Sequence, residues 1–83
     1  MTKYLVDIYI PAAGQHLDAF LPANKEIGEI IQLLVSVSET LVGGSYKGGP
    51  DTMLLSAETG SPYDNTLTVE EADIRNATRL ILA

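Results

Sequence analysis

Apolar and polar residues change places along this chain with two different periods. From Tyr4 to Ile10, Tyr4, Val6, Ile8 and Ile10 alternate with Lys3, Leu5, Asp7 and Tyr9, the period of a half-buried strand. Pro11-Ala12-Ala13-Gly14 supplies a turn. From His16 to Leu21 the alternation resumes, with Leu17, Ala19 and Leu21 on one side and His16, Asp18 and Phe20 on the other, so the first third of the chain predicts a β-hairpin. Pro22-Ala23-Asn24 interrupts the pattern, and the Asn24 side chain is the candidate N-cap for a helix. The period then lengthens. Ile27, Ile30, Ile31, Leu34, Ser38 and Leu41 recur at helical spacing, with Val35 and Val37 widening the stripe and Lys25, Glu26, Glu29, Gln32 and Glu39 on the other face. A helix with one apolar stripe lies on a sheet, and Gly28 is read as letting it approach closely.

The run Gly43 to Pro50 ends that helix, because paired glycines and a proline do not continue one. Beyond it, Thr52 to Ser56 predicts a third strand, Thr59 to Pro62 a turn, and Asn65 to Thr68 a brief further strand. Thr68-Val69-Glu70-Glu71 has the spacing of a capping box and predicts a single helical turn at Val69 to Ala72. Arg79 to Leu82 closes the chain as a strand. The expected fold is α+β: a mixed sheet of four to five strands packed on one long helix plus a short helical turn, with the first and last strands parallel at the centre. The 83 residues suit one domain with one modest core.

In element order the chain resembles ubiquitin, and the segment Thr66 to Leu82 is similar in detail. There an apolar residue, four mostly polar ones, Ile74, a polar turn and then Leu80 and Leu82 keep the spacing of the last third of ubiquitin-like domains. Within these β-grasp proteins, the length most resembles the small YukD and EsaB family of type VII secretion. That resemblance implies a bacterial, cytosolic accessory or regulatory role and a protein partner, such as a component of the secretion machine. A different ubiquitin-like role, as a small structural subunit of a multicomponent enzyme such as a diiron monooxygenase, is the alternative. Ubiquitin and the sulfur carriers act through a C-terminal Gly-Gly, whereas this chain ends Leu82-Ala83, so conjugation and sulfur transfer are not expected of it.

Composition narrows the chemistry. There is no cysteine, which excludes disulfides, thiolate metal sites and a cysteine nucleophile. Five basic residues against eleven acidic ones give a net charge of -6, and the basic ones are scattered, so nucleic-acid binding is not expected. The apolar runs are short of the roughly 20 residues of a membrane helix, and with no leader pattern at Met1 the reading is a cytoplasmic chain without direct membrane insertion. His16, the only histidine, has no nucleophile or second ligand at a recognisable spacing and reads as a surface residue. Gly43 to Gly49 lacks the Gly-Lys-Ser/Thr order of a phosphate-binding loop, although its Tyr46 and Lys47 are available to a partner. Asn76-Ala77-Thr78 is a glycosylation sequon by letter and reads as a polar turn. Glu70, Glu71 and Asp73 are explained by the capping box before a metal. No enzyme activity and no cofactor are therefore expected.

The candidate site is the outer face of the sheet. If Val6, Ile8, Leu17, Ala19, Leu21, Leu80 and Leu82 face the helix, alternation sends Leu5, Tyr9, Phe20 and Ile81 outward, with Leu54 expected to join them. By resemblance to ubiquitin, whose corresponding face is its main recognition surface, this is where a protein partner docks. A homodimer through the same patch is the competing occupant.

Overall fold

A computed structural model describes residues 2–41 and 51–83. The expected loop from Gly43 to Pro50, with Tyr46 and Lys47, lies outside the described residues apart from its flanks. The elements are β1 (Lys3–Ile10), β2 (Gln15–Pro22), α1 (Ile27–Leu41), β3 (Leu54–Ser56) and β4 (Arg79–Leu82). β1 and β2 pair antiparallel in the register that joins Leu5 to Phe20 and Tyr9 to His16. At the hairpin, Gly14 takes φ +62°, a left-handed conformation that glycine reaches without a Cβ clash. β4 runs parallel to β1, and β3 antiparallel to β4, giving one four-stranded sheet of order β2-β1-β4-β3. Parallel neighbours need a long crossover, and α1 lies within it.

The core is the inward half of each pattern. Val6, Ile8 and Ile10 of β1, Leu21 of β2, Leu80 and Leu82 of β4, and Ile27, Ile30, Ile31 and Leu34 of α1 are buried together, joined by Val69 and Ile74. Each such side chain contributes about 1.5–3 kcal/mol relative to exposure. Ser38 also lies on this face and is fully buried. Leu33 and Val37 are 58% and 46% exposed, so Val37 does not widen the core stripe. Its position on the helix carries it past the sheet edge.

The helix starts three residues after Asn24, and Asn24 is not its cap. Asn24 sits in a turn closed by the Lys25 amide donating to the Pro22 carbonyl at 3.3 Å. The amides of Ile27 and Gly28 donate instead to the carbonyls of Leu67 (2.8 Å) and Asn65 (3.0 Å). A loop from the far end of the sequence thus satisfies the open first turn of α1. Gly28 likewise faces Asn65 and not the sheet, and an added Cβ there would meet Asn65 at ordinary contact distance, so close approach of the helix to the sheet is not what this glycine serves.

The strand expected at Asn65 to Thr68 reduces to one antiparallel bridge between Glu26 and Thr68, apart from the four-stranded sheet. The capping box forms: the Thr68 amide donates to Glu71 Oε1 at 2.9 Å and the Glu71 amide to Thr68 Oγ1 at 3.1 Å. It closes a hydrogen-bonded turn, with Ala72 N donating to Thr68 O at 3.0 Å, but no helix follows. Asp73 then takes φ 63° and turns the chain away.

Candidate functional site

The pairing register fixes what the outer face displays. Asp7 N donates to Thr78 O, and Ala77 N to Leu5 O, so the backbone groups of odd-numbered β1 residues point toward β4. Their side chains are on the outer face. Leu5 is 42% exposed and its cross-strand partner Phe20 is 66% exposed, forming one apolar cluster. Tyr9 is paired with Ile81, and Ile81 with Leu55, which forms a second cluster of half-buried side chains.

Leu54 is not part of this face. It is only 1% exposed, packed in the core opposite Leu82, and the outward residue of β3 is its neighbour Leu55. Antiparallel partners share a face, so pairing with inward Leu82 sends Leu54 inward and pairing with outward Ile81 sends Leu55 outward. A three-residue strand has too little alternation to reveal this parity by itself. Leu55 could have been found only by aligning β3 against the Arg79 to Leu82 pattern.

A charged row separates the two apolar clusters: Asp18, Asp7 and Arg79 are successive neighbours across β2, β1 and β4. His16 lies beside it. Its Nδ1 is 3.1 Å from Asp7 Oδ1 and 3.2 Å from Oδ2, and its ring lies 4.7 Å from that of Tyr9. A shallow depression of about 200 Å³ opens among Asp7, Tyr9, His16, Arg79 and Ile81. With the His16 side chain 64% exposed, this group offers a carboxylate, an imidazole, a phenol and a guanidinium to solvent beside apolar surface. Such a mixture suits protein recognition, in which apolar area supplies affinity and polar groups set the register.

The remaining sequence candidates have structural partners. Glu71 is held in the capping box, Glu70 accepts from the Tyr4 hydroxyl at 3.2 Å, and Asp73 lies 3.6 Å from the Arg75 guanidinium. Asn76 Oδ1 accepts from the Leu5 amide at 2.9 Å, and Thr78 Oγ1 from the Arg75 amide at 3.0 Å. The sequon is therefore a turn pinned to β1. Between them, Ala77 adopts φ 70° and donates its amide to Leu5 O at 2.8 Å.

One surface was not singled out by the sequence. Leu33 and Val37 of α1, with Leu17, Ala19 and Phe20 of β2, line an apolar groove of about 170 Å³ along the β2 edge of the sheet. The signal for it was the position of Leu33, one residue off the core stripe.

No family model matches the chain, and no curated protein matches it. Among solved structures it is similar to the ubiquitin-like domain of EccD5 from Mycobacterium xenopi, with 22% identity and a TM-score of 0.84, covering 100% of this chain and 94% of that one. It is also similar to the ubiquitin-like domain of the Mycobacterium tuberculosis type VII secretion protein EccD1, at 17% identity and a TM-score of 0.77, covering 100% and 99%. A third likeness, at 18% identity and a TM-score of 0.85, is to the MycP5-free ESX-5 inner membrane complex, where this whole chain matches 21% of the other. These likenesses show the fold, which is the ubiquitin-like β-grasp.

Proposed function

We propose that the chain is a ubiquitin-like binding module that docks the outer face of its sheet on a component of a type VII secretion system. The observation that carries the docking surface is the pair of apolar clusters, Leu5–Phe20 and Tyr9–Ile81–Leu55, left uncovered around the Asp7–His16 pair. Apolar groups at this density on one face, rimmed by charge, commonly mark an interaction site. The likeness to EccD ubiquitin-like domains and to an ESX-5 inner membrane complex supports the choice of partner. A fold alone does not assign a function, so the partner rests on likeness and the surface on geometry. Among the described residues no helix is long and apolar enough to cross a membrane. In this reading the module meets the membrane complex from the cytoplasmic side through protein contacts, and no residue performs chemistry.

The test is recovery of type VII inner-membrane components from detergent-solubilised native membranes, with wild type beside a Tyr9→Ala, Leu55→Lys variant shown by circular dichroism to be folded. Loss of those components with the variant supports the reading. Equal recovery moves the working surface elsewhere. A concentration-dependent dimer in sedimentation, abolished by the same variant, assigns the face to self-association instead.

A further inference from the structure

The open edge of β2 and the groove beneath it form a second surface, apart from the outer face. β1 residues of odd number direct their backbone groups at β4, so those of even number bond β2. In the β1–β2 register the even residues face Leu21, Ala19, Leu17 and Gln15. The N–H and C=O groups of His16, Asp18 and Phe20 consequently point away from the sheet. Pro22, at the end of this row, has its carbonyl occupied by the Lys25 amide. Among the described residues nothing pairs with this edge, which is thus three residues of unpaired backbone.

Proteins usually blunt such an edge with charged side chains, lysine above all, with proline, with a bulge or with a short strand. β2 has eight residues and pairs with β1 residue for residue without a bulge; it contains no lysine, its one proline stands at its last position, and its single charge is Asp18. Beneath the edge, on the helix side, lies the groove lined by Leu17, Ala19, Leu21, Ile30, Leu33 and Val37. A backbone is the one chemical group that satisfies alternating donors and acceptors along an edge while its alternate side chains enter a groove.

Charge specifies the occupant further. The cross-strand neighbour of Asp18 is Asp7, a second carboxylate, and Asp7 is engaged by His16. Like charges directly opposite are destabilising, so a cation on the open side of Asp18 relieves an existing repulsion. A second copy of this chain fits less well. Symmetric pairing centred on Asp18 opposes two carboxylates and brings together chains that each carry a charge of -6.

We propose that the β2 edge binds an extended polypeptide segment with a Lys or Arg between two aliphatic residues, added antiparallel as a fifth strand. The cation faces Asp18 on the outer side, and the flanking aliphatic side chains enter the groove against Leu33 and Val37. This site is separable from the outer-face reading: the two share Asp18 and Phe20, but the edge site contacts the β2 backbone and α1 and does not involve Tyr9, Ile81 or Leu55.

The test uses the acetylated and amidated peptide KVTVKITK, titrated into isotope-labelled protein and followed by amide chemical shifts and hydrogen exchange. Saturable shifts confined to β2 and α1, with slowed exchange at His16, Asp18 and Phe20, are expected. Replacing the central lysine by glutamate weakens binding about fivefold or more, and an Asp18→Lys variant reverses that preference. Methylating the central lysine's backbone nitrogen abolishes binding with charge unchanged. A Tyr9→Ala, Leu55→Lys variant binds the peptide as wild type does, which separates this site from the outer face. The proposal is overturned by shifts centred on Tyr9 and Ile81, by indifference to N-methylation, by absence of saturable binding, or by a peptide-free dimer that already protects the three amides.

Discussion

Leu54 and Leu55 are adjacent and chemically identical, yet one is buried against Leu82 and the other helps form the outer face. Leu54→Ala is expected to cost about 2–5 kcal/mol, and Leu55→Ala about 1 kcal/mol or less, in chemical denaturation. The reverse order would mean that β3 is paired one residue out of register. Ser38 poses a different question. Helical spacing places it on the core stripe, and its Oγ is buried with no hydrogen-bond partner among the described residues. Removing an unsatisfied buried hydroxyl recovers its desolvation cost, so Ser38→Ala is expected to stabilise by about 1 kcal/mol, read as a raised denaturation midpoint. Asp64 is a surface residue whose acidity is set locally. The Thr66 amide and hydroxyl donate to its Oδ1 at 2.9 and 2.7 Å, and these bonds, the backbone one foremost, hold its carboxyl below the usual 3.8. A depressed folded-state value gives stability that is present above the unfolded value and lost as pH falls through the folded one. The stability gap between wild type and Asp64→Ala is therefore expected to be constant near neutrality and to close on acidification below about pH 4, in denaturation curves taken across that range.

Elements with eight or more residues of regular period were legible, and those depending on a distant partner were not. β1 and β2 carry their own alternation, which is why Leu5, Tyr9 and Phe20 were placed correctly without knowledge of their neighbours. The start of α1 was misread because Asn24 is a good cap by type, whereas the caps used are carbonyls of Asn65 and Leu67, some forty residues further along the chain. Local propensity cannot register such a tertiary cap. The capping box at Thr68 is local and was read, but two neighbouring left-handed residues, Asp73 and Ala77, gave no warning, since neither is a glycine. Gly28 lies between these cases. It lowers helix propensity, and a Cβ there would stand 3.4 Å from the Asn65 carbonyl oxygen, an ordinary contact distance. Gly28→Ala is accordingly expected to stabilise by about 0.5–1 kcal/mol with the fold unchanged. A loss of stability instead, measured by thermal unfolding, would show that the Asn65 loop has no room to give.

At the scale of the whole molecule, the sheet order β2-β1-β4-β3 places the first and last strands side by side at the centre. The chain therefore closes its core only when its two ends have met, and the strands most remote in sequence are the ones bonded on both sides. β2 and β3 are the sheet's outer strands, one long and open, the other three residues long. Protection of backbone amides should follow that arrangement and not the lengths of the strands. In native-state hydrogen exchange, the amides of Val6, Asp7 and Ile8 are expected to be the slowest, opening only with global unfolding. Within β2 the pattern should alternate, with Leu17 and Ala19 protected by β1 and His16, Asp18 and Phe20 exchanging orders of magnitude faster. Uniform protection along β2 would mean that the edge is already covered in solution. The alternation would establish that this small β-grasp keeps a ladder of unpaired backbone beside a groove, an arrangement that costs solubility unless something is meant to bind there.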